Sequence, residues 1–101
     1  MINDRPMRSL YVPYNGLNPA PVQIKGHKLI FFAPEPEQIF DKLASFGADR
    51  MEEFSPNNEQ EEYSILSELA ISSNSGVVLL PENIEFSEII KNLEDQLPWI
   101  H

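Results

Sequence analysis

Val22-Gln23-Ile24-Lys25-Gly26-His27-Lys28-Leu29-Ile30-Phe31-Phe32-Ala33 is the stretch from which the architecture can be built. Val22 to Lys25 alternates apolar and polar, which suits a strand with one covered face. Gly26-His27 then reads as a two-residue link, with glycine at the first central position of a type II′ turn, where φ must be positive. The second strand, Leu29 to Phe32, is apolar on both faces and belongs inside a sheet covered on both sides. This predicts a β-hairpin near the start of the fold.

Working outward on the C-terminal side, helices and strands alternate. Glu35 to Phe46 reads as a helix, with Pro36 in its first turn, Ile39, Phe40, Leu43 and Phe46 on one face and Gly47 as the stop. Arg50 to Phe54 reads as a half-exposed strand. Ser55-Pro56 opens a second helix, with Tyr63, Leu66, Leu69 and Ala70 at helical spacing. Val77 to Leu80 is a second apolar strand. Phe86, Ile89, Ile90, Leu93 and Leu97 mark a third amphipathic helix, ended by Pro98.

On the N-terminal side, residues 1–21 carry Pro6, Pro13, Pro19 and Pro21. Ser9 to Val12 can form a strand, and Pro13 confines it to an edge. This segment is expected to be a proline-rich arm or loop with one edge strand, within a single domain spanning residues 1–101.

The expected fold class is therefore α/β: a small mixed sheet of four or five strands with three helices, an N-terminal β-hairpin followed by alternating helix and strand. A sheet ordered hairpin strand, Leu29 strand, Val77 strand, Arg50 strand gives both apolar strands central places. It also sets the first two helices on opposite faces. The rival is a two-layer α+β sandwich with every helix on one face.

Composition narrows the chemistry. Without cysteine there is no disulfide, thiolate metal site or thiol nucleophile, which fits a reducing, cytoplasmic setting. The longest apolar run, Leu29 to Ala33, is far short of the roughly 20 residues of a membrane helix. The net charge is −9 and unevenly placed. Residues 1–34 hold four basic side chains against one acidic, whereas residues 35–101 hold three against fifteen. Such a field repels nucleic-acid backbones and acidic membranes and attracts basic protein surfaces.

Catalytic patterns are missing. His27 falls in the hairpin turn and His101 at the end, and neither suits a triad. There is no Gly-x-Ser-x-Gly elbow, and the four glycines form no phosphate-binding loop. In a parallel sheet the ligand crevice lies beyond the carboxyl ends of the strands. The links there read Pro34-Glu35-Pro36-Glu37, Ser55-Pro56-Asn57-Asn58-Glu59 and Pro81-Glu82-Asn83-Ile84-Glu85, each putting carboxylates at a helix start. Proline and glutamate there also simply start helices well. Glu59 and Glu62 share a helix face, which is equally the pattern of a solvated surface. No calcium-loop pattern occurs, so no metal or other cofactor is expected.

The sequence expectation is a non-enzymatic protein-interaction module, an acidic regulator or inhibitor, meeting a basic partner through Glu35, Glu37, Glu59 and Glu82. Trp99 in the apolar tail Leu97-Pro98-Trp99-Ile100-His101 is a further anchor, unless it folds back over the third helix. A small carboxylate-based enzyme or enzyme subunit, working with or without a divalent metal, is the second reading. A protein that self-associates through a sheet edge or the Trp99 tail is the third.

Overall fold

The structure, a computed structural model, describes residues 8–99. Six strands form two three-stranded sheets: β1 (Leu10–Asn15), β2 (Asn18–Pro19) and β5 (Arg50–Phe54) in the order β2-β1-β5, and β3 (Val22–Ile24), β4 (His27–Phe32) and β6 (Gly76–Leu79) in the order β3-β4-β6. The helices are α1 (Glu37–Phe40), a 3-10 turn at Leu43–Phe46, α2 (Glu59–Ser73) and α3 (Phe86–Gln96). The mixed α/β class expected from the pattern is what forms.

β4 organises the molecule as its composition demands. Its side chains alternate between two cores. Phe31 and Ala33 join Ile24, Ile39, Phe46, Leu80 and Ile89 on the face covered by α1, the 3-10 turn and α3. Ile30 and Phe32 join Leu10, Val12 and Leu69 on the face covered by α2. Helices thus lie on opposite faces, and Ile30, Phe31 and Ala33 have no exposed surface. β4 pairs antiparallel with β3 and parallel with β6, as the hairpin and the crossover require.

The turn sits one residue earlier than expected. Ile24 pairs with His27, leaving Lys25 and Gly26 as the central pair, both at positive φ (54° and 87°). That is a type I′ turn, whose twist matches the flanking strands better than most alternatives.

Three further expectations are corrected. First, the single sheet with Arg50 beyond Val77 does not form. β5 pairs over five positions with β1 instead, and β6 is left at the edge. Second, β1 is not an edge strand but the middle strand of its sheet, with Pro13 fully buried inside it. The reason is local. Tyr11 and Ala33 exchange both backbone hydrogen bonds (2.8 and 3.0 Å), joining the two sheets, and two residues on Pro13 turns to the same side. Pro13 accepts from the Ala20 N–H there (3.0 Å), and its missing N–H falls where one neighbouring strand ends and another begins. The ladder to β5 runs on the opposite side and is untouched.

Third, the helix expected over Glu35 to Phe46 is broken at Lys42 (φ −130°, ψ 25°). Two short turns bring Ile39 and Phe46 into one core and rotate Phe40 outward, where it is 63% exposed. Gly47, at φ 67°, ends the segment as expected.

α2 starts later than Ser55-Pro56. Asn58 is its cap, accepting from the Glu61 N–H at 2.8 Å, while the Glu61 carboxylate accepts from the Asn57 N–H at 3.1 Å. Capping of this kind satisfies backbone donors that the helix cannot. Asn58→Ala should cost about 1 kcal/mol. A thermal melt should show this as a fall of roughly 4–8 °C. Along α2, Ile65, Leu66 and Leu69 pack inward, but Tyr63, expected on that face, is 74% exposed.

Candidate functional site

β4 and β6 are parallel, and β5 runs the same way because β4 and β5 are each antiparallel to β1. The carboxyl ends of all three therefore lie at one end of the molecule, where the acidic links emerge. Glu35 and Glu82 converge there on a cation. Arg8 Nη1 lies 3.3 Å from Glu82 Oε1 and 3.9 Å from Glu35 Oε1. Arg8 belongs to the segment 1–21 that the sequence suggested was a proline-rich arm or loop. The pairing comes from β1 running antiparallel to β4, which no local pattern announces. All three side chains are about half exposed or more, so the pairs contribute little to stability.

Glu37 stands in the single turn of α1 at this end. Glu59 opens α2, beyond the carboxyl end of β5. Among the described residues neither forms an ion pair. The neighbouring Tyr11 hydroxyl donates to Glu53 Oε2 at 3.1 Å. Desolvation, followed by the Glu53 hydrogen bond and charge, raises the Tyr11 pKa and keeps the phenol protonated.

Next to these carboxylates, between α1 and the start of α3, is a cleft of about 330 Å³ lined by Gln38, Lys42, Leu80, Phe86 and Ile89. Gln38 pins α1 to the strand end by donating to the carbonyls of Leu80 (3.2 Å) and Pro81 (3.3 Å). Its Oε1 is buried without a hydrogen-bond partner among the described residues. No group of three His, Asp or Glu side chains able to hold a metal is found among them either.

Trp99 is not part of this end. The hairpin turn at the amino end of β4 grips the segment after α3: His27 Nε2 is 2.7 Å from the Pro98 carbonyl, and Lys25 Nζ donates to the carbonyls of Leu97 (3.2 Å) and Glu94. Lys25 at the helix C-terminus meets carbonyls left unpaired by the helix, where a cation is favoured. The same ammonium lies 5.8 Å from the Trp99 ring centroid, and the ring stays 66% exposed. His27 therefore has a structural hydrogen bond rather than only solvent. Six residues of β4 put Trp99 on the order of 20 Å from the acidic end. Ile100 and His101 lie outside the described residues.

Among the described residues the strand β6, expected at the centre, is an edge strand, with Leu79 54% exposed. No helix among the described residues is long and apolar enough to cross a membrane. Compared with known proteins, the chain matches no family model, no curated protein and no solved structure at a significant level.

Proposed function

We propose that this chain is a non-enzymatic, cytoplasmic interaction module whose acidic end docks on a basic surface of a protein partner. The observation that supports this reading is the convergence of Glu35 and Glu82 on the Arg8 guanidinium. Two carboxylates from separate links already share one cation, and Glu37, in the first turn of α1, forms no ion pair among the described residues. A partner's arginine or lysine entering this end meets the same geometry. Attraction between opposite fields speeds such encounters and selects partners, and it weakens as salt rises. Nucleic-acid backbones are repelled by the same field.

The test is a pull-down from the native host's lysate with three proteins: the wild type, the reversal Glu35→Lys/Glu37→Lys/Glu59→Lys/Glu82→Lys, and a control reversing Asp49, Glu68, Glu94 and Asp95 to Lys. Both variants change net charge equally. The wild type and the control should retain a basic partner that elutes with salt, and the first variant should lose it. Arg8→Ala, by removing the internal competitor, should tighten capture. Equal capture by all proteins, or equal loss from both reversals, would leave the acidic end without a role.

A further inference from the structure

We propose that the chain pairs with a second copy of itself along β6, through a two-fold axis at Val78, independently of any docking at the acidic end. The argument begins with backbone direction. Leu80 N–H donates to Phe32 O (2.8 Å), and Leu79 sits opposite Phe32 in parallel register. In a parallel ladder the N–H and C=O of one residue point the same way. Val78 and Leu80 thus turn their backbone groups to β4, and Val77 and Leu79 turn theirs outward. β6 pairs with no other strand among the described residues, so these two residues present two donors and two acceptors at an open edge.

A two-fold axis perpendicular to the sheet at Val78 is the register that uses all four. It sets Val77 opposite the partner copy's Leu79 and Leu79 opposite its Val77, each pair exchanging two hydrogen bonds. The side chains agree with this register. Val77 packs toward the α2-side core, and Leu79, two residues on, points to the same face. The two-fold operation keeps both α2 helices on one side of the joined sheet.

What flanks the edge explains why the occupant is a second copy. Ala70, Ile71 and Asn74 line the side of α2 next to His27, Lys28, Leu29 and Gly76, where Lys28 is the one charge and is basic, whereas Glu68 and Ser72 line the other side, next to Tyr14 and Leu17. Tyr63 and Ser67 continue the first flank at helical spacing. Tyr63, Ser67, Ala70, Ile71 and the whole of β6 carry no charge, in a chain of net −9. Ile71, next to Gly76, is 80% exposed, and Tyr63, two turns earlier on the helix, is 74% exposed. A basic partner finds no carboxylate on this strip. A second copy meets no carboxylate there either and supplies the matching strand. Native edges are blunted by shortness, charge, proline or a cover; β6 is short, but among the described residues it carries no charge, proline or covering strand.

Because the chain is cysteine-free, Val78→Cys gives a unique reporter. Residues facing each other in the non-hydrogen-bonded position lie about 4.5 Å apart between Cα atoms, within disulfide range. Under mild oxidation Val78→Cys should cross-link to a dimer in good yield, and Leu17→Cys, more exposed but at the β1–β2 turn, should not. Sedimentation over a dilution series should show the untagged wild type as a monomer–dimer equilibrium. Leu79→Lys should shift it to monomer, and so should Leu79→Pro, which removes one outward N–H and no bond to β4. Rising salt should strengthen the dimer by screening two like-charged copies, the opposite sign to docking of a basic partner. A wild type that is monomeric throughout overturns the proposal, as does a dimer unaffected by both Leu79 variants. Cross-linking no better from position 78 than from position 17 overturns the register.

Discussion

A chain lacking residues 1–15 should show no cooperative unfolding transition, by circular dichroism on heating or in urea, where the full chain shows one. The segment looks dispensable in sequence because Pro6 and Pro13 interrupt it. In the fold it contains β1, which holds β5 over five register positions, holds β2, and bonds to Ala33 to join the two sheets. Leu10 and Val12 are buried within the core that α2 covers. A single Leu10→Ala replacement should cost about 2–5 kcal/mol. Removing β1 also unpairs β5 and opens Ile30, Phe32 and Leu69 to water. That combined loss is comparable with the whole stability of a small domain, about 5–15 kcal/mol. A sigmoidal transition near the full chain's midpoint would show that residues 1–15 are an arm after all.

The residues that were legible in sequence are those whose environment is set by their own pattern. Leu29 to Phe32 could only be a covered strand, and it is. Arg50 to Phe54 is β5 at the expected limits, and Gly47 stops its segment in the conformation glycine tolerates best. What stayed hidden depends on partners far away in the chain. Pro13 argues against an interior strand until one knows that its nitrogen faces the gap between Ala33 and Ala20. β5 has no local reason to prefer β1 over β6, and that choice alone moved β6 from centre to edge. The break at Lys42 serves two buried side chains that a continuous helix would have placed differently. At the candidate site, the carboxylates of the links were legible, because proline and glutamate at helix starts are a local signal. Arg8 between Glu35 and Glu82 was not, since its position follows from strand pairing across 74 residues. Nor was the separation of Trp99 from the rim, which depends on Lys25 and His27 holding the other end.

The sharpest energetic contrast is between two phenylalanines that the sequence treats alike, both on apolar faces near the hairpin. Phe31 has no exposed surface and sits in a cluster drawn from three elements. Its ring lies 5.5 Å from Phe86 of α3, edge-on, and 5.8 Å from Phe46 of the 3-10 turn, and those two rings are 4.7 Å apart. Phe31→Ala empties the centre of this cluster, so it loses transfer energy, leaves a cavity and removes two aromatic contacts at once. The expected cost is about 3–5 kcal/mol. At roughly 4–8 °C of Tm per kcal/mol, the melting temperature should fall by at least about 12 °C. Phe40→Ala removes a ring that points to water and should change stability by no more than about 0.5 kcal/mol. Equal losses would mean that residues 37–46 form the continuous helix the apolar spacing suggests, with Phe40 packed inward. A large loss at Phe31 with none at Phe40 places the break at Lys42. It also ties α3 to β4 through an aromatic contact, because Phe86 then relies on Phe31 and Phe46 for its packing rather than on the apolar stripe of its own helix.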